Sequence, residues 1–247
     1  MIGRKRRRVK SIPFNKIVPN MITSGSVLCG MCSLILTYER QFVPSALVII
    51  MAVFFDYMDG KVARSLGGSS AFGEELDSLA DALSFGAAPS FLIYGRYIGL
   101  ELGILGALSV AFFALCGVLR LARFNVAHTV GPFQGLPIPA GGMALAAVVI
   151  ARLPLVPVLS AVLMVSLGSL MISTVPYSNL KLMRRGGLNK ARAVLLAGIT
   201  ASCFVILRER ALLALIGVYV ASGPLRFDWG VWLSGPSDPE EKPAHRE

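Results

Sequence analysis

Polar residues are scarce along most of this chain and come in bands between long apolar runs. Six such runs are expected to form helices of about membrane length: Val18 to Tyr38, Val43 to Ala63, Asp77 to Tyr97, Leu102 to Leu119, Gly135 to Arg152 and Pro154 to Val175. About 20 apolar residues are needed to cross a bilayer as a helix. Helix-start signals support several boundaries, with Pro19-Asn20 near the first and Pro137-Ile138-Pro139 at the fifth. Two shorter runs follow, Ala193 to Leu207 and Ala211 to Val220, split by Arg208-Glu209-Arg210. Both are short for spanning, so an interfacial hairpin is the alternative. The expected fold class is an all-α polytopic membrane protein, a six-helix core plus two C-terminal membrane helices. The expected organisation is a basic cytosolic arm over residues 1–17, a catalytic membrane core over 18–181, a basic loop and helix pair over 182–224, and a mobile cytosolic tail over 225–247.

Composition agrees with that pattern. Of 247 residues 55% are hydrophobic and 15% charged, with a mean hydropathy of +0.68, well above a soluble domain. The net charge of +10 would suit nucleic acid, but the basic residues lie between apolar segments, not on one soluble face. They read as topology determinants and lipid-headgroup contacts, so nucleic acid is not an expected partner. With the N-terminus inside and eight spans, only Arg40, Arg96, Arg152, Arg208 and Arg210 of the 24 Lys and Arg fall outside. Cys29 and Cys32 form a C-x2-C within an apolar helix with no second pair nearby, which favours packing over metal or redox chemistry.

One stretch breaks the apolar pattern with acid. Asp56, Asp59, Gly60 and Ala63 share a face at helical spacing, and Asp77 and Asp81 share a face of the next helix. Side by side, these helices would gather four carboxylates within metal-ligand distance. Unpaired carboxylates at a membrane boundary are costly, so a cation is the expected resident. Oxygen ligands of this kind favour Mg²⁺, Mn²⁺ or Ca²⁺ over zinc. Gly60 and Ala63 leave the face bare for close approach of a ligand, and Arg64 is placed to pair with phosphate. Paired metals bridging a diphosphate, with a carboxylate left to take a proton, make a phosphoryl-transfer site. The competing readings are an intramembrane ion or proton relay, as in a cation transporter, and a set of buried salt bridges.

The spacing Asp-x2-Asp-Gly-x2-Ala-Arg-x8-Gly-x3-Asp-x3-Asp, from Asp56 to Asp81, closely resembles the signature of the CDP-alcohol phosphotransferase family. The resemblance implies a di-metal centre, with Mg²⁺ or Mn²⁺ on Asp56, Asp59, Asp77 and Asp81, and Asp81 as the base that deprotonates the incoming alcohol. Gly60, Ala63, Arg64, Ser70 and Gly73 match positions around the CDP moiety. Asn20 and Thr23 are open between contact with the cytidine end and capping of the first helix.

Further strings resemble the bacterial phosphatidylserine synthases of that family. They are Pro19 to Gly30, where relatives usually have asparagine in place of Ser26, Ser84 to Pro89, Leu119 to Asn125, and Gly135 to Ala140. Ser173, Tyr177 and Lys181 recur at helical spacing, as in relatives. By this resemblance Arg120, Arg123, Asn125, Tyr177 and Lys181 would meet serine or a lipid phosphate, although snorkelling would also account for the two arginines. The implied reaction carries the phosphatidyl group of CDP-diacylglycerol to the hydroxyl of L-serine by metal-assisted in-line attack. Glycerol 3-phosphate or inositol phosphate as acceptor, and an ether-lipid donor, stay open. A homodimer in the cytoplasmic membrane, its site facing the cytosol, is also implied. Gly95, Gly99 and Gly103 read as a close-packing face, and His128 as a solvated loop residue.

Overall fold

A computed structural model describes residues 14–67, 70–127, 133–177, 190–227 and 229–233. The described residues are helical and connecting turns apart from one two-residue strand pair. Helix α1 covers Phe14–Tyr38 and α2 Phe42–Ser65. Helix α3, Ala71–Asp81, runs through a π-helical turn, Ala82–Ala87, into α4, Ala88–Ile93, and a second π turn, Tyr94–Ile98. Then come α5 (Gly103–Ala127), α6 (Ile138–Ile150), α7 (Pro157–Ile172), α8 (Lys190–Leu207), α9 (Ala211–Ser222) and α10 (Trp229–Leu233). Strands β1 (Phe133–Gln134) and β2 (Pro176–Tyr177) pair antiparallel.

Among the described residues three helical stretches are long and apolar enough to cross a membrane: Ile17–Tyr38, Phe42–Ser65 and Gly103–Val126, of 22, 24 and 24 residues. At 1.5 Å per residue, 24 residues reach about 36 Å, more than the ~30 Å hydrocarbon layer. Leu28, Ile35, Leu47, Phe54, Ile104 and Leu115 stand exposed on these helices, as lipid-facing side chains do. Helix α9 has only 12 residues. It packs on α6 and α8.

Helix α6 lies at the centre, with ten buried residues of its 13, and contacts α2, α4, α7 and α9. Its entry is rigid: Pro137 precedes the first turn and Pro139 sits within it, where a missing N–H costs nothing. Gly142 lets α6 approach the π turn, since a Cβ there would stand 2.8 Å from the Phe85 carbonyl oxygen. That turn lies just before Pro89, whose ring excludes a regular bond to the Phe85 carbonyl. Ser84, in the same turn, donates to the Ser26 carbonyl (2.8 Å), tying α1 to this element.

Several sequence expectations need correction. Helix α1 starts near Phe14, so Pro19 lies inside it and Thr23 donates to the Pro19 carbonyl (3.1 Å). The third helix opens at Ala71, where Ser70 caps it, and not at Asp77. Ser173 and Tyr177 do not share a helix. Helix α7 stops at Ile172, because Pro176 cannot continue it and biases Val175 to extended backbone. Ser173 then folds back, donating to Leu170 and accepting from Val175. Of the glycine series, Gly95 does pack closely, against Thr37, whereas Gly99 and Gly103 have positive φ with nothing near them and serve a turn. Past Pro224 the described residues include the short helix α10, where Arg192 donates to the Trp232 carbonyl (2.7 Å). Residues 234–247 of the expected tail lie outside the described residues. The cysteines are free, Cys29 buried and Cys32 exposed. The basic arm before residue 14, His128, and residues 178–189 with Lys181 lie outside the described residues.

The two ends of the bundle differ in character. Arg152, past α6, pairs with Glu209 in the α8–α9 turn (3.5 Å), and Arg96 stacks over Phe42 at the start of α2. The opposite end carries the start of α1, the acidic end of α2 and the start of α3.

Gly135 marks the tightest backbone constraint. Its φ is +80°, and a Cβ would collide with the Met171 carbonyl. Gly135→Ala is therefore expected to cost about 2 kcal/mol or more, whereas Gly99→Ala, strained but in open space, costs about 1 kcal/mol. Melting temperatures of the detergent-purified variants check this order.

Candidate active site

The acidic end of α2 meets the start of α3 beside α1. Carboxylate oxygens of Asp56, Asp59 and Asp77 all lie within 4.8 Å of one another. Asp81, one turn beyond Asp77, is also buried, 9% exposed, with its carboxyl against that of Asp56 and near Arg120. Asp59 Oδ2 and Asp81 Oδ1 are buried without a hydrogen-bond partner. Such atoms are expensive to bury unless something cationic faces them. Oxygens around one divalent cation at 2.0–2.6 Å are at most about 5 Å apart, so the trio fits a bound cation. The residues present therefore suit the metal that the sequence implies.

A cleft of about 210 Å³ opens beside the trio. Helix α1 lines it with Asn20 and Thr23, α2 with Asp59, Gly60, Ala63 and Arg64, and α3 with Gly73 and Asp77 behind its cap Ser70. All seven residues expected around the CDP moiety thus share one cavity. The local reasons are simple. Ser70 accepts from the Gly73 N–H (3.1 Å), which starts α3 and frees its first turn. A Cβ on Gly73 would stand 2.9 Å from Asn20 Oδ1, so glycine here lets Asn20 lie close against α3. Arg64 folds back over Gly60, whose missing Cβ makes the room. Thr23 is buried and faces Asp59. Glu74 also lines the cleft, a residue that sequence reasoning passed over; its place one position beyond Gly73 in the first turn was the available signal.

The residues expected around serine or lipid phosphate separate. Arg120 is 8% exposed, its Nε lacks a partner, and it lies within electrostatic range of Asp81. Arg123 is a tie: it donates to the carbonyls of Gln134 (3.0 Å), Ile172 (3.2 Å) and Ser173 (3.4 Å). Asn125 donates to Ser78 Oγ (3.0 Å), linking α5 to α3. Tyr177 is 2% exposed and turned to α9, donating to the Val220 carbonyl (3.0 Å).

Membrane-length helices around an inward acidic cluster, beside an open cleft that carries Arg64, define an architecture suited to phosphoryl transfer in a membrane. Residues 16–178 match the family model described as CDP-alcohol phosphatidyltransferase. The chain belongs to that family. It is 33% identical over 232 residues to the CDP-diacylglycerol–serine O-phosphatidyltransferase of Helicobacter pylori, covering 87% of this chain and 94% of that protein. It is 36% identical over 165 residues to the enzyme of the same name from Bacillus subtilis, covering 66% and 91%. Against the archaetidylserine synthase of Methanothermobacter thermautotrophicus it is 37% identical over 172 residues, covering 65% and 69%.

Two outcomes follow from this geometry. Ser70→Ala loses the cap of α3 and about 1 kcal/mol, while Ser70→Asp keeps most of it; thermal melts compare them. Asp59→Asn relieves repulsion within the trio, so the metal-free protein melts no lower than the parent. Its stabilisation by added Mn²⁺ shrinks.

Proposed function

We propose that this protein transfers the phosphatidyl group of CDP-diacylglycerol to the hydroxyl of L-serine, releasing CMP. The observation that carries the reading is the Asp56–Asp59–Asp77 trio beside a cleft lined by the remaining signature residues. The names of the serine-transferring relatives support the choice of acceptor. The reading places the protein in the cytoplasmic membrane, as a homodimer, with its site at the cytosolic face.

Asp56, Asp59 and Asp77 would hold the cation, with Asp81 beside them; Mg²⁺ or Mn²⁺, two per subunit, is the proposed complement. Such an ion, when bound, neutralises charge on the diphosphate and on the departing CMP. Arg64 lies over Gly60 in the cleft, where it pairs with phosphate of the donor. Asn20 and Thr23 lie on the α1 wall and meet its nucleotide end.

Asp81 is buried next to Asp56, outside the donor cleft wall, and is the proposed base. It takes the proton of the serine hydroxyl as the oxygen attacks the β-phosphorus in line. A new P–O bond to serine forms, the bond from that phosphorus to the CMP oxygen breaks, and the proton passes from Asp81 to solvent. Arg120, near Asp81, supplies positive charge for the serine carboxylate.

A membrane assay with CDP-diacylglycerol and labelled serine, glycerol 3-phosphate or inositol phosphate tests the acceptor. Serine-dependent CMP release is expected, and preference for either phosphate would refute the assignment. Asp81→Asn should lower turnover by about 10²–10⁴-fold while CMP with Mn²⁺ still raises the melting temperature. Asp56→Asn and Asp77→Asn should lose that thermal shift as well. A parent protein showing no shift would favour a cation transporter. Light scattering of the detergent complex reads the proposed dimer.

A further inference from the structure

Helix α9 lies beyond residues 16–178, yet it is fastened to the core through Tyr177 and Ile216. Tyr177 seats its ring against Gly223, where any side chain would collide with it, and donates to the Val220 carbonyl (3.0 Å). Ile216 is buried, with α9 packed on α6. Ser222 is buried and donates to the Tyr219 carbonyl (2.7 Å). The Tyr219 ring stands 5.7 Å from that of Tyr177, tilted by 41°. Together these contacts leave Tyr219 little freedom.

Its position is informative. Tyr219 is half-buried and lies within electrostatic range of Arg120. Its hydroxyl makes no hydrogen bond among the described residues. Arg120 in turn is 8% exposed, with an unpartnered Nε. Asp81 from α3 is the acidic group within its range, while Arg123 on its own helix adds positive charge. No ion pair joins Arg120 to Asp81 within 4.0 Å among the described residues. A buried guanidinium and a free phenol, set on two helices near the proposed base, are matched to an anionic group. Neither Arg120 nor Tyr219 lines the donor cleft.

We propose that Arg120 and Tyr219 together bind the carboxylate of the acceptor alcohol, so that α9 forms one wall of the acceptor pocket. This rests on the serine reading above. The guanidinium and the phenol O–H each donate to one carboxylate oxygen, which leaves the acceptor hydroxyl free to reach Asp81. The role of α9 is then recognition of the acceptor, in addition to packing.

The test uses the full chain in detergent or nanodiscs. Tyr219→Phe removes one O–H and keeps the ring against Tyr177. It is expected to raise the KM for serine roughly tenfold, the size of one charge-assisted hydrogen bond. kcat, the KM for CDP-diacylglycerol and the thermal shift with CMP and Mn²⁺ should stay within about twofold. In a double-mutant cycle with Arg120→Lys, the effects on serine KM should be non-additive. An unchanged serine KM in Tyr219→Phe overturns the proposal. So does a loss spread equally over both substrates with a lower melting temperature, which would make Tyr219 a packing residue only. A parent protein inert towards serine but active on another alcohol would remove the functional reading and this proposal with it, whereas an active parent with an indifferent Tyr219→Phe removes this proposal alone.

Discussion

Crowding of like charge is the constraint on which the rest of this structure depends. Three carboxylates lie within 4.8 Å of one another at one end of a bundle whose flanks expose many apolar side chains, and a fourth is buried beside them. Without a counter-charge such a cluster would push α2 and α3 apart. A hard divalent cation would resolve the conflict and, on the function proposed above, would turn it into affinity for a second anion, the donor diphosphate. The cost of the cluster and its usefulness have one origin, the low dielectric of its surroundings.

The scaffold around the cluster shows how it is held together. Small residues set the spacing between helices: Gly73 lets Asn20 lie close against α3, Gly60 makes room for Arg64, and Gly142 brings α6 onto the π turn after Asp81. That turn serves Pro89 and at the same time rotates the helix below the site. Asp77 and Asp81 can then face α2 while Ser84 faces α1. Arg123 ties α5 to the strand pair and the end of α7, which fixes the helix that carries Arg120.

Buried polar groups divide into two sets. Ser33, Thr37 and Ser45 satisfy one another between α1 and α2 (2.8 Å each) and add rigidity to the bundle. Among the described residues Asp59 Oδ2, Asp81 Oδ1, Arg120 Nε and, away in α10, Trp229 Nε1 remain without partners. Buried groups left open in this way are where binding free energy can be gained. The first three run from the cleft, past Asp81, to α5.

The apolar runs and the acidic spacing determined much by themselves. Runs of membrane length leave helices as the natural way to satisfy the backbone in lipid, and aspartates three and four apart must share a face. The all-α core, the clustering of the carboxylates and seven of the residues lining the cleft beside them were therefore legible in one dimension. What stayed hidden depends on contacts between distant segments. Arg123 and Arg120 look alike three positions apart, yet one reaches carbonyls of β1 and α7 while the other stays buried and open. Helical spacing grouped Ser173 with Tyr177, but Pro176 and pairing with β1 broke the helix and turned Tyr177 towards α9. No local pattern marks Tyr219 either. Its place beside Arg120 arises only when α9 docks on α6, since packing between distant helices, not spacing along one of them, decides which side chains meet.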